Sequence, residues 1–150
     1  MSGYNHFRNI RASLLRFCSD FKEAMALEGE TLVAVNLDDF TDESQWPKDQ
    51  DFIGLSELHM DIEEFYSVQC MLAVSTAHDK NLDRMTKLMH HLLDRVLPNS
   101  CIPVYDADTG DEVGALFVGN GVRVGSPLPT KTQPIQPVAL RLLSNLTSIE

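Results

Sequence analysis

Between residue 5 and about residue 27, the apolar residues Phe7, Ile10, Leu14, Phe17, Cys18, Phe21 and Met25 recur in steps of three and four. That is the period of a helix with one buried stripe. Gly29 stands just past its end, where a left-handed cap is wanted. Residues 31–37 are short and β-branched and predict a strand, whereas 41–54 are polar, contain Trp46-Pro47 and predict a long loop. From Leu55 no strong breaker interrupts the chain as far as Thr76. Residues 66–76 alternate there, with Tyr66, Val68, Cys70, Leu72 and Val74 on one side, and predict a half-buried strand. Leu82, Met85, Leu88, Met89, Leu92, Leu93 and Val96 mark a second amphipathic helix that stops before Pro98, and Asp79 or Asn81 can cap its start. Strand, turn and strand follow at 102–105, 106–111 and 113–119. Residues 125–137, with Pro127, Pro129, Pro134 and Pro137, predict a second long irregular segment, and 138–144 a closing strand. Helices that do not alternate strictly with strands predict an α+β domain, a mostly antiparallel sheet with both amphipathic helices packed on one face.

A length of 150 residues suits a single domain over 1–150, with the two long loops at 41–54 and 125–137 as its irregular parts. No apolar run approaches the roughly 20 residues of a spanning helix. The N-terminal stretch mixes arginines with its apolar residues and lacks the core of a secretory signal, so synthesis and residence in a cytoplasm are expected. The 12 basic and 22 acidic residues give a net charge of -10, which argues against a protein that coats nucleic acid. The imbalance is local. Residues 28–64 hold twelve acids and only Lys48 as a base, a net of -11 that suits a solvated face, a negative rim or a surface for a basic partner. Cys18, Cys70 and Cys101 are widely spaced and form no C-x-x-C pair, as expected of reduced thiols.

Candidate chemistry changes this picture little. The pairs His59/Asp61 and His78/Asp79, and His90, His91 and Asp94 on one helix, supply ligand types suited to zinc, iron or manganese. The helical group offers only a two-ligand fragment at i, i+3 or i+4. Residues 106–112 alternate acids around Gly110, but the glycine is fifth rather than sixth and strands flank it, so a hairpin turn is expected rather than a calcium loop. Gly114, Gly119, Gly121 and Gly125 precede neither a Lys-Ser/Thr pair nor a helix N-terminus, and suit bent or bulged strands. Arg8, Arg11 and Arg16 give the first helix a basic flank that can complement the acidic segment of a neighbouring copy.

The order of elements is itself informative: a helix, a strand, a long acidic loop with a tryptophan, a strand ending Met-Leu-Ala-Val-Ser-Thr76, then His-Asp-Lys-Asn-Leu-Asp83 opening a helix with Met85, Met89 and Leu93. This arrangement resembles the tail-terminator (tail-completion) proteins of tailed bacteriophages, whose strand-to-helix junction commonly carries a polar turn followed by a Leu-Asp pair, matched here by Asn81, Leu82 and Asp83. The resemblance implies a structural virion protein without catalytic, metal or cofactor site, assembled in the host cytoplasm and seated at the tail–neck junction. It implies a hexameric ring that ends tail-tube growth, with the tail tube protein and a neck or connector protein as partners, and neither a membrane nor sequence-specific nucleic acid. Arg8, Arg11, Trp46 and Lys131 are the expected interface residues, and both long loops are expected to order against neighbours. The alternatives are a head–tail connector or other neck protein of the same fold, and a small metal-dependent enzyme using His59, Asp61, His78 and Asp79.

Overall fold

The computed structural model describes residues 3–130 and 133–147. Helix α1 spans Gly3–Leu27, and its stripe of Ile10, Leu14, Cys18, Phe21 and Met25 is buried. It ends as its glycine predicts. Gly29 takes a φ of +84°, with the Glu30 N–H donating to the Met25 carbonyl at 2.9 Å and the Gly29 N–H to that of Ala26 at 3.1 Å. The strands are β1 (Val33–Asn36), β2 (Phe52–Ile62), β3 (Phe65–Ser75), β4 (Cys101–Tyr105), β5 (Glu112–Val118), β6 (Arg123–Val124) and β7 (Ile135–Thr147), with helix α2 (Asp83–Arg95) between β3 and β4. They form one sheet in the order β1-β2-β3-β7-β5-β4, with β6 on the flank of β7. The β1–β2 pair is parallel and the other pairs are antiparallel.

The fold is the α+β arrangement expected, with corrections to its elements, among them the short strand β6, which was not expected. Strand β2 was not expected, and it takes Phe52, Ile53 and Gly54 from the first loop. Strand β7 begins at Ile135, so the second loop ends three residues sooner than its prolines suggest. Pro137 is tolerated because its carbonyl, and with it the side lacking an N–H, points away from β3 to accept from Gly125 N–H at 2.8 Å.

Both helices share one core with one sheet face, made by Tyr66, Val68, Cys70, Leu72 and Val74 of β3 and Val138, Leu140 and Leu142 of β7. Met85, Leu88, Met89 and Leu92 carry α2 into it. On the opposite face, a smaller cluster of Leu37, Phe52 and Ala73, packed by Val33, Val35, Phe40, Trp46 and Ile135, covers one end of the sheet only. The chain between β1 and β2 supplies much of that cover. Parallel neighbours need a crossover of a dozen residues or more, and the fifteen residues from 37 to 51 are that crossover. The first long loop is thus set by sheet topology.

Candidate interaction surface

The basic flank of α1 is occupied within the chain. Arg8 pairs with Asp108 at 2.8 Å, Arg11 with Asp39 at 3.6 Å, and Arg16 lies over the Tyr105 ring at 3.8 Å while approaching Asp20 at 4.0 Å. Buried polar residues of the same helix hold the outer edge of the sheet. Ser13 Oγ accepts from Tyr105 N–H and Asn9 Oδ1 from Ala107 N–H, both at 2.9 Å, so α1 satisfies donors that the end of β4 and the turn after it would otherwise present to solvent. Trp46 is half-buried and meets the Phe52 ring edge-on at 6.3 Å. Lys131 lies outside the described residues.

The second long loop is also tied to its own chain. Gln133 is buried, and its amide donates to the Gln50 carbonyl at 2.7 Å and to Ser75 Oγ at 2.8 Å, while Ser75 Oγ donates to the Pro134 carbonyl at 2.8 Å. This knot joins both loops to the end of β3. The expectation that the loops order only against neighbours is therefore corrected for Trp46 and Gln133.

The histidine–aspartate pairs do not converge. His59 Nε2 meets Gln69 Oε1 at 2.9 Å on the helix-free face of the sheet. The turn bearing His78 and Asp79 follows Ser75, six residues along β3 from Gln69, or about 20 Å at the rise of a strand. His78 Nε2 pairs with Asp49 Oδ1 at 2.9 Å in an exposed contact, and His90 faces Asp94 at 3.7 Å. Among the described residues, no three His, Cys, Asp or Glu side chains are grouped to hold a metal ion.

Asp79 has a structural task. Its carboxylate accepts from the N–H groups of Arg84 at 3.0 Å and Met85 at 2.9 Å and from Thr76 Oγ1 at 2.9 Å, which caps α2. Burial pushes its pKa up, but the two backbone donors, the Thr76 hydroxyl and the Arg84 charge outweigh that and hold it below the ordinary carboxylate value. Arg84 also donates to both Asp51 oxygens, at 3.0 and 3.1 Å, and to the Ala77 carbonyl; the hydrogen bond to Asp51 is the main reason its pKa is raised. The cleft beside this hub, about 480 Å³, is lined by Thr31, Asp49, Asp51, His78 and Arg84. Its charged groups are already paired with one another. Burial pushes the Cys18 and Cys70 thiols up to about 12, which suits packing rather than nucleophilic chemistry.

The helix-free face beyond the crossover presents a different surface. Phe117 of β5 and Leu143 of β7 stand opposite each other, 42% and 52% exposed, and Phe65 on the same face is 51% exposed. Beside this apolar row, Arg141 sits across from Gln69, and Arg123 across from Ala139, two residues from Arg141. Gln69, Asn120, Gly121, Arg123 and Arg141 line a cleft of about 480 Å³. Sequence reasoning passed over both arginines, since each is a single base in an alternating strand. Their shared face follows only from the pairing of β6 and β3 with β7.

No helix among the described residues is long and apolar enough to cross a membrane. The chain matches no family model and no curated protein. A solved protein structure superposes on 93% of this chain and 95% of its own, with a TM-score of 0.55 and 14% sequence identity, a likeness that shows a shared fold.

Proposed function

We propose that this chain is a structural subunit of a tailed-phage virion, a tail-terminator protein that forms a ring at the end of the tail tube and joins it to the neck. The observation that carries this reading is the uncovered sheet face. Phe65, Phe117 and Leu143 are large apolar residues on one side of a sheet whose other side packs against both helices. A contiguous exposed apolar patch marks a protein-interaction surface. The element order on which the resemblance rests supports the same reading, with a strand running into a polar turn and then Leu82-Asp83 at the head of α2. Identical subunits whose differing faces meet head to tail close into a ring when the rotation permits.

Tube polymerisation tests this reading. Purified chain added to polymerising tail-tube protein should arrest growth, with a ring visible at one tube end by electron microscopy. Tubes that lengthen unhindered would sink the proposal, and a ring bound to the neck but never to the tube would make the chain a connector.

A further inference from the structure

We infer that Arg123 and Arg141 form a socket for the acidic tip of the β2–β3 hairpin of a second copy, an inference that rests on the ring reading and names its mating surfaces. The arginines of this chain divide in two. Arg8, Arg11, Arg16 and Arg84 each face a carboxylate of their own chain, and Arg95 donates to the His91 carbonyl and lies over the Phe21 ring at 5.5 Å. Among the described residues, Arg123 and Arg141 have no carboxylate within 4.0 Å, in a chain with 22 acids and 12 bases. Both are exposed, and they flank one cleft on the helix-free face with Gln69 and Asn120 as further polar lining. Where acid is in such excess, two neighbouring guanidiniums turned away from all of it are placed to meet an anion from outside the subunit.

The hairpin tip has the complementary chemistry. Asp61-Ile62-Glu63-Glu64-Phe65 closes β2 onto β3, and Ile62 and Phe65 are 59% and 51% exposed. It offers acids interleaved with large apolar side chains. The socket offers arginines beside the apolar pair Phe117 and Leu143. An apolar rim favours a protein partner over a bare phosphate backbone, which would leave Phe117 and Leu143 uncovered. Tip and socket are different patches that both adjoin Leu143, so a tip seated in a second copy's socket is a contact between unlike surfaces.

Reciprocal charge reversal tests the pairing on the full chain, read by sedimentation and native mass. Arg123→Glu/Arg141→Glu should stay monomeric at concentrations where the wild type assembles, and so should Asp61→Lys/Glu64→Lys. The socket variant should keep its wild-type melting curve. Mixing the two variants should restore the oligomer, because each socket then meets a tip of opposite charge. Assembly unchanged in the socket variant, or no recovery on mixing, overturns the pairing while leaving a ring built on other surfaces. A wild type that stays monomeric both alone and on tubes overturns the ring reading as well. Binding of a DNA oligonucleotide that is lost in the socket variant while assembly persists would overturn the pairing and assign the face to phosphate.

Discussion

Asp79 shows how one side chain sets a junction. It reaches past the residues at the start of α2, where Asn81 and Leu82 both take positive φ, and satisfies two of the helix's free N–H groups. Asp79→Ala should cost about 2 kcal/mol in urea unfolding, since it removes a cap and strands donors in a nearly closed site. Asp79→Asn should recover part of this. The folded pKa of Asp79 lies below its unfolded value, so its contribution is present above the unfolded value and lost as pH falls through the folded one. His6 acts in the same direction at higher pH. It is buried against Tyr66 with ring centroids 5.2 Å apart, and burial, then the N-terminal charge, lowers its pKa. Stability should therefore fall as pH drops below the ordinary histidine value of about 6.5, because the unfolded chain takes up the proton first. In His6→Phe the loss of urea midpoint between neutral and mildly acidic pH should shrink; an unchanged loss would remove His6 as its source. The Asp79 cap was legible from its place before a periodic helix. The burial of His6, Asn9 and Ser13 was not, because polar residues at helical spacing read as a solvent face.

At the scale of elements, β2 shows why a strand can escape notice. Its first four residues are all buried, so they show no alternation, and the register then shifts between Ser56 and His59. Glu57 sits at that bulge with a φ of +53°, and its N–H donates to Asp38 rather than to β3. The apolar parity therefore switches from Ile53 and Leu55 to Leu58 and Met60, and a period-two reading fails across the switch. The helices, whose patterns are uninterrupted, and the β4–β5 hairpin, whose register shift falls at its turn end between Val104 and Tyr105, were legible almost to their ends. The turn that carries Asp38 is also locked by packing. A Cβ at Gly54 would stand 2.6 Å from Leu37 Cγ and 2.7 Å from its Cδ1, so a larger residue at this position on β2 would push the Leu37 side chain off the sheet. Gly54→Val should destabilise the chain by about 1–3 kcal/mol, as overpacking does. Pairing it with Leu37→Ala should return part of that loss; a pair no better than the sum of its members would show that Leu37 is not the obstacle.

For the whole molecule, the question is where a net charge of -10 goes. Part of the acidic stretch is neutralised at home, with Asp39 beside Arg11, Asp51 beside Arg84 and Glu30 beside Lys87 at 3.1 Å. Among the described residues, the helix-free face carries arginines with no carboxylate within 4.0 Å and an exposed apolar row. The sequence pattern could not reveal that face, since it is assembled from β3, β5, β6 and β7 across some eighty residues. Its mixed character predicts how assembly responds to salt. Exposed charges more than about 8 Å apart are largely screened at 0.15 M ionic strength, so contacts that depend on Arg123 and Arg141 should weaken as sodium chloride rises. Sulfate strengthens apolar burial while it screens, and should weaken assembly less at equal ionic strength. Sedimentation of the full chain across both salts checks this. Chloride should move the population toward monomer, and the same titration on Arg123→Ala/Arg141→Ala should be nearly flat. Equal chloride sensitivity in that variant would place the salt-dependent contact elsewhere on the subunit, with the basic flank of α1 the next surface to alter.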